Sequence, residues 1–344
     1  MHMNESPEQA HPTGRRVNPA QQRHTAPFFI VGAGRSGSTL LRMMLISHSR
    51  ICIPPETWYL APLLEHFSTE SPLSKSELES AISIMTSNYR WPDMRLGIEE
   101  LHQRVAGTAQ SRLRDLVECV YSWHMEQEGK SRWGDKTPTY VTIVPELARL
   151  FPEAKFIHLL RDGRDVAASF QRQGWKGPWL YSNAEKWIEA VQCELSWRGS
   201  PLEKRVLRIR YEDLVLHTEA TLRAICEFIG EQFEPRMLSW DDKVDESVPR
   251  RELHIHQKLK EQPSSEDVYR WKQEMSLRQV WIAESFMRAP LKRTGYDLKF
   301  RSAAWVPAML VTRVLCRLML PVVGLQRRAL GYLGRRVQKL GMKA

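Results

Sequence analysis

The sequence has no C-x-x-C pair, and its five cysteines (Cys52, Cys119, Cys193, Cys226 and Cys316) are scattered over 344 residues. Such spacing argues against a disulfide framework or a cysteine zinc site and fits free thiols in a reducing cytosol. The first 26 residues hold no apolar block, so they read as a polar, disordered lead rather than a signal peptide or a membrane span. Internal repeats and low-complexity segments are missing too. Acidic residues are absent from residues 301–344, whereas nine arginines and lysines are present there. Those nine cations account for nearly all of the formal net charge of +10. Residues 1–300 are therefore close to neutral, which disfavours a general nucleic-acid-binding surface.

What is present is enough apolar material for a sizeable core, with 42% hydrophobic residues and 12 tryptophans. Short apolar runs at Phe28–Val31, Arg50–Ile53, Lys155–Leu160 and Arg205–Ile209, with a weaker one at Ser131–Gly134, alternate with helical patterns. The alternation predicts an α/β domain over 27–300: a P-loop-type parallel sheet flanked by helices on both faces. Residues 72–128 read as a helical insertion that shapes the acceptor side, and 301–344 as a basic, apolar helical tail. In such sheets ligands sit beyond the carboxyl ends of the strands. Polar clusters fall there at 32–39, 54–56, 135–138, 161–169 and 211–213, and this convergence predicts one site.

Its organising stretch is Pro27–Leu41, PFFIVGAGRSGSTLL. A strand, a glycine turn and a helix start place unpaired backbone N–H groups toward an anion. Gly34 and Gly37 allow the tight turn, Ser36, Ser38 and Thr39 add hydroxyl donors, and Arg35 adds a fixed positive charge. Gly32, Gly37 and Thr39 match the Walker spacing, but Ser38 stands where that loop requires lysine. This substitution disfavours an ordinary magnesium-dependent ATPase or a small-molecule kinase using ATP.

GAGRSGSTLLRMML resembles the 5′-phosphosulfate loop of sulfotransferases that use 3′-phosphoadenosine 5′-phosphosulfate (PAPS), the tyrosylprotein branch and its bacterial relatives above all. FIHLLRDGRDVAASF resembles the same family's 3′-phosphate element. The resemblance implies that Arg161 and Ser169, eight residues apart, bind the 3′-phosphate. The plain alternative pairs Arg161 with Asp165 on one helix face. The resemblance further implies Glu56 of IPPETW as catalytic base, and Lys136 of WGDKTPTY together with Arg35 as stabilisers of the leaving group. Tyr211 of RIRYEDLV would lie near the nucleotide. Their alternatives are a helix-terminal carboxylate for Glu56 and a surface pair with Asp135 for Lys136. Glu212 and Asp213 read as helix caps, and His48 and His158 are the rival bases. The implied reaction is direct in-line transfer to an acceptor hydroxyl, leaving adenosine 3′,5′-bisphosphate, with no metal required.

Residues 254–271 resemble the late segment that closes over the nucleotide, with Lys258 or Lys260 reaching a phosphate and Trp271 as anchor. His254 and His256 lack a third metal ligand in sequence. Trp58, Tyr59, Trp175, Trp179 and Tyr181 hint at an apolar or planar acceptor. In the tail, Arg313 and Arg317 interrupt the apolar run 305–325; arginine in mid-span costs roughly 2.5–3.5 kcal/mol. That leaves an interfacial segment drawn to anionic lipid, or helices packed on the domain or on another subunit. The localisation expected is cytoplasmic with peripheral membrane contact. A non-catalytic, membrane-associated nucleotide-binding protein is the third reading.

Overall fold

The computed structural model of the protein describes residues 26–106, 112–173 and 180–318. Nearly all of the polar lead, the tail beyond 318, Trp175, Trp179 and the side chain of Tyr181 lie outside the described residues. Within them five strands form one sheet: β1 (Phe28–Gly32), β2 (Ile51–Cys52), β3 (Arg132–Lys136), β4 (Lys155–Leu160) and β5 (Val206–Arg210). The spatial order is β2-β3-β1-β4-β5, and every pairing is parallel. From β1 the chain goes to β2 at one edge, returns to β3 beside β1, then crosses to β4 on the other side of β1 and runs outward to β5. This reversal of direction opens a crevice at the carboxyl end of β1.

β1 has no polar side chain and is buried along its whole length, as a central parallel strand must be. Its residues alternate between two cores. Phe29 and Val31 enter one with Trp133 and Phe156; Phe28 and Ile30 enter the other with Leu41 and Ile157. The first face is covered by α5 (Leu113–Gln127), α6 (Val144–Leu150), α7 (Gly163–Arg172) and α8 (Leu180–Trp197); the second by α1 (Ser38–Ile46), α9 (Tyr211–Leu216) and α10 (Thr218–Ile229). The sheet is thus clothed by helices on both faces. KFIHLL forms β4 with the expected bounds, whereas β2 is two residues shorter than expected. Pro54 and Pro55 supply no N–H for a continuing ladder.

The insertion between β2 and β3 is helical: α2 (Leu60–His66), α3 (Lys75–Thr86) and α4 (Ile98–Ala106) lead into α5. α5 locks onto the sheet through Tyr121, stacked on Trp133 at 4.3 Å. Ser74 and Glu77 close a capping box at the start of α3.

A buried ion cluster ties α7 to the helix Leu277–Arg293. Arg164, 1% exposed, meets Asp162 at 2.7 Å and Glu284 at 2.6 Å, with both carboxylates fully buried. The remaining acceptor capacity of Glu284 takes the backbone N–H groups of Lys299 and Phe300. Trp271 anchors its segment as expected, stacking on the Arg164 guanidinium at 3.7 Å and donating from Nε1 to Asp162. Glu212 departs from expectation. It is no cap, but a buried link that accepts from the Asp162 N–H at 3.0 Å and the Tyr296 hydroxyl at 2.9 Å.

After a short 3-10 turn at Ala303–Trp305, residues 306–318 form a helix. One side packs on the domain through buried Met309 and through Trp281 Nε1, which donates to Thr312 Oγ1 at 2.9 Å. Leu310, Val311, Val314, Leu315 and Leu318 stand out on the other side, each more than half exposed. Among the described residues no helix is long and apolar enough to cross a membrane.

Removing the buried cation leaves two uncompensated carboxylates. Arg164→Leu is expected to destabilise the fold by roughly 3–5 kcal/mol, read as a lowered urea midpoint.

Candidate active site

The five polar clusters meet. β1 ends at Gly32, whose φ of +145° brings it so close to β4 that a Cβ would stand 2.5 Å from the Leu159 carbonyl oxygen. The turn that follows places Arg35 in the left-handed region at φ 69° and ends at Gly37, φ 92°. A Cβ on Gly37 would overlap the Tyr211 ring, so glycine is required both by conformation and by space. α1 then begins with no side-chain cap and no acidic residue in its first turn. Its N-terminal N–H groups and positive dipole end therefore face the crevice.

Arg35 reaches across from β1 to α7, its Nε donating to Ser169 Oγ at 3.1 Å. Arg161, at the end of β4, donates to the Arg35 carbonyl at 3.4 Å and to the Asp267 carbonyl at 3.0 Å. Its guanidinium lies over the Tyr211 ring, 4.1 Å from the centroid. Arg161 also approaches Asp165 Oδ2 at 3.9 Å, so the helix-face pairing weighed against a phosphate role coexists with the crevice geometry. Ser36 Oγ and Arg161 Nε are buried with no hydrogen-bond partner. Guanidinium, hydroxyl and helix N–H donors converge here, with Asp165 Oδ2, 3.9 Å from Arg161 Nε, as a carboxylate beside them; such a set of donors is the chemistry of an anion cradle. Burial, then the neighbouring charges of Arg161 and Arg172, push Arg35 down to about 10.

Beside this cradle Lys136, 4% exposed, closes on Glu56 at 2.7 Å. The surface pair with Asp135 does not form. Instead Asp135 is fully buried and accepts from Tyr121 and Thr57 hydroxyls at 2.7 and 2.9 Å. Burial pushes Asp135 up to about 6 against those hydrogen bonds. Thr57 also contacts Tyr140 at 2.9 Å, and its N–H donates to Thr137. This network holds the Glu56 and Lys136 loops together. Burial raises the Glu56 pKa, but the Lys136 ammonium and the Trp58 N–H outweigh it and leave the carboxylate below its ordinary value. Simple desolvation would have predicted the opposite sign.

The rival bases are structural. His48 is tied to the Gln232 carbonyl at 2.8 Å and accepts the Arg50 N–H. His158 is buried in β4 against Trp197, and burial lowers it to about 4. Lys258 pairs with Asp267 and Lys260 with Asp245, so both ammonium groups are engaged in ion pairs. Tyr59 is a core residue, while Trp58 is 38% exposed beside Glu56.

Sequence reasoning missed Arg42, Arg90 and Asp267, and weighed His256 only as a metal ligand. Arg42 is buried in α1 and donates to the carbonyls of Ile53 and Pro54, stapling the Glu56 loop to the helix of the glycine turn. Arg90 stacks over Trp58 at 5.2 Å. His256 lies among Arg35, Lys136, Glu56 and Arg90; burial and the cations drive it to about 3. Asp267 presents its carbonyl to Arg161. Arg42 lay within the loop motif and His256 and Asp267 within the late segment 254–271, whereas no motif or spacing rule pointed to Arg90.

This geometry defines a P-loop-type α/β protein whose anion cradle uses arginines where the Walker loop uses lysine. Residues 27–235 match the profile of the Sulfotransferase family, and the chain belongs to that family. It is 31% identical over 228 residues to protein-tyrosine sulfotransferase A of Caenorhabditis elegans, covering 64% of this chain and 52% of the relative. It is also 31% identical over 191 residues to nodulation protein NoeE of Sinorhizobium fredii, covering 55% and 40% respectively. The chain thus spans about half the length, or less, of these curated relatives. The sulfotransferase domain of the Synechococcus PCC 7002 olefin synthase superposes with a TM-score of 0.55 at 25% identity, covering 81% of this chain and 98% of that one. The sulfotransferase domain of the curacin biosynthetic pathway shares the fold, with a TM-score of 0.52 at 24% identity over 79% of this chain and 98% of that one. The kinase and non-catalytic readings gain no support from these relationships.

Asp165 offers a pH test of this architecture. Burial, against the opposing Arg161 charge, pushes its pKa from 3.8 up to about 6. The folded chain therefore keeps a proton that the unfolded chain releases, and the resulting stability is full below about pH 3.8 and lost by about pH 6. Relative to the parent, Asp165→Asn is expected to gain stability as pH rises through that window and to level off above it, as thermal midpoints across pH will show.

Proposed function

We propose that the chain transfers the sulfuryl group of PAPS directly to an acceptor hydroxyl, releasing adenosine 3′,5′-bisphosphate. The observation that carries this reading is the meeting of Arg35, Arg161 and Ser169 with the Glu56–Lys136 pair at one sheet edge. Gly34, Arg35, Ser36, Gly37, Ser38 and Thr39 hold the 5′-phosphosulfate end through backbone N–H groups, hydroxyls and one guanidinium. Arg161 and Ser169 hold the 3′-phosphate, and Tyr211 packs beneath Arg161. The buried Ser36 hydroxyl, which has no hydrogen-bond partner, supports that fit.

Glu56 takes the acceptor proton as the new O–S bond forms, while the bond from sulfur to the phosphate oxygen breaks. Lys136 and Arg35 stabilise the negative charge that grows on that leaving oxygen. Glu56 begins as an ionised carboxylate bound to Lys136, so it is available as a base at neutral pH. These charges let the chemistry proceed with no metal required.

The helix 306–318 supports a peripheral contact with anionic membrane, in a protein otherwise read as cytoplasmic. Its outward side is apolar, it carries Arg313 and Arg317, and the chain that follows is basic with no acidic residue. The packing alternative accounts for its inner side only.

Two measurements test these readings. Calorimetry should give magnesium-independent binding of adenosine 3′,5′-bisphosphate in preference to ATP, lost in Arg161→Ala, while Glu56→Gln binds normally and loses turnover. Preference for ATP with magnesium would overturn the donor assignment, and surviving turnover in Glu56→Gln would overturn the base. For the tail, the full chain should sediment with vesicles containing phosphatidylglycerol and stay in solution with pure phosphatidylcholine. Leu310→Glu combined with Leu315→Glu should abolish the binding; equal sedimentation of parent and variant would count against the contact.

A further inference from the structure

Glu56 has two carboxylate oxygens, and each accepts one hydrogen bond. Oε1 takes Lys136 Nζ at 2.7 Å from the buried side; Oε2 takes the Trp58 indole N–H at 2.7 Å from the open side. Lys136 is enclosed, whereas Trp58 is 38% exposed. Oε2 is therefore the oxygen whose partner is the more exposed of the two.

Trp58 reaches back to a residue only two positions earlier because its backbone is left-handed, with φ 56°. For a bulky aromatic residue this conformation is a strained outlier, and such outliers persist where the surroundings over-determine them. The surroundings here come from the helical insertion. Tyr89 meets the indole edge-on with centroids 5.8 Å apart, and the Arg90 guanidinium lies 5.2 Å from its centroid. Arg90 is in turn ion-paired with Glu252 and approaches Asp93. Tyr89 and Arg90 thus pack on the indole, which remains 38% exposed. The charged and titratable groups around Glu56 are Lys136 from β3, Arg35 from the glycine turn, Arg90 from the insertion and His256 from the late segment.

We propose that Trp58 is a positioning residue that closes the base: its indole N–H covers the carboxylate oxygen an acceptor hydroxyl must reach, and so withholds Glu56 from water until an acceptor displaces it. A base next to an activated sulfuryl group is otherwise a hydrolysis hazard, because water is always present and always has a proton to give. In that side reaction a water O–H proton passes to Oε2, the water oxygen bonds to sulfur, and the bond from sulfur to the phosphate oxygen breaks. Sulfate and adenosine 3′,5′-bisphosphate are the products. Trp58 opposes the first of these events.

The inference rests on the sulfuryl-transfer reading and on Glu56 as base, and its test needs no acceptor. Release of radiolabelled sulfate from PAPS is followed in the full chain, alongside calorimetric binding of adenosine 3′,5′-bisphosphate. Trp58→Phe keeps an aromatic ring and removes the N–H; it should hydrolyse PAPS several-fold faster than the parent with nucleotide affinity unchanged. Adding Glu56→Gln should erase the increase. Trp58→Gln, which keeps a donor and loses the ring, should return hydrolysis toward the parental rate. An unchanged or slower rate in Trp58→Phe, an increase that survives Glu56→Gln, or equal increases in Trp58→Phe and Trp58→Gln would each overturn the proposal. Failure of the parent to bind the bisphosphate would instead overturn the donor assignment beneath it.

Discussion

Two guanidinium groups, Arg35 and Arg161, are held at the carboxyl ends of adjacent strands, close enough that Arg161 disfavours the charge on Arg35. Like charges in a low-dielectric crevice separate unless the frame prevents it. The frame here is the parallel sheet: β1 and β4 share a register from Phe28↔Lys155 to Gly32↔Leu159, so the turns that follow them cannot drift apart. Much of the surrounding architecture serves to keep this arrangement rigid. Arg35 is steadied by Ser169, and Arg161 by two backbone carbonyls, by Asp165 and by the face of Tyr211. An anion bound between them would relieve that repulsion.

Rigidity is supplied by charge pairs placed one layer out. Arg164 with Asp162 and Glu284 sits directly behind the β4 turn, and Glu212 holds the Asp162 N–H from α9. Trp187 adds a third tie by donating from Nε1 to the Arg161 carbonyl at 2.8 Å. Each buried ion has a partner and further hydrogen bonds, the condition under which such groups are tolerated in a core. On the other side of the crevice Arg42 and the Asp135–Thr57–Tyr140 network do the same for the Glu56 loop, so Glu56 and Lys136 meet without a covalent link. The carboxylate then stands between a buried cation and a solvent-facing indole, and its two oxygens are chemically distinct.

How much of this was legible in the chain differs from element to element. KFIHLL is uninterrupted and apolar, so its strand could be read with its bounds; Ile51–Cys52 is two residues between a charge and two prolines, and its limits depended on pairing with β3. PFFIVGAGRSGSTLL carried its own meaning, because glycine spacing and a helix start dictate a cradle before any tertiary contact forms. The absence of lysine at Ser38 was equally readable, and it separated this loop from the ATP-binding kind.

The sequence by itself determined the order of strands and helices, the anion-binding turn, and the residue types at the strand ends. Periodicity and backbone preference act over a few residues and leave their mark locally. Only the tertiary structure decided that Lys136 pairs with Glu56 rather than Asp135, that Glu212 is a buried link rather than a cap, and that Trp58, Arg90 and His256 surround Glu56. Those choices join positions up to 200 residues apart, and they follow from which side chains the closed sheet and its insertion bring into one low-dielectric space. No local pattern encodes that.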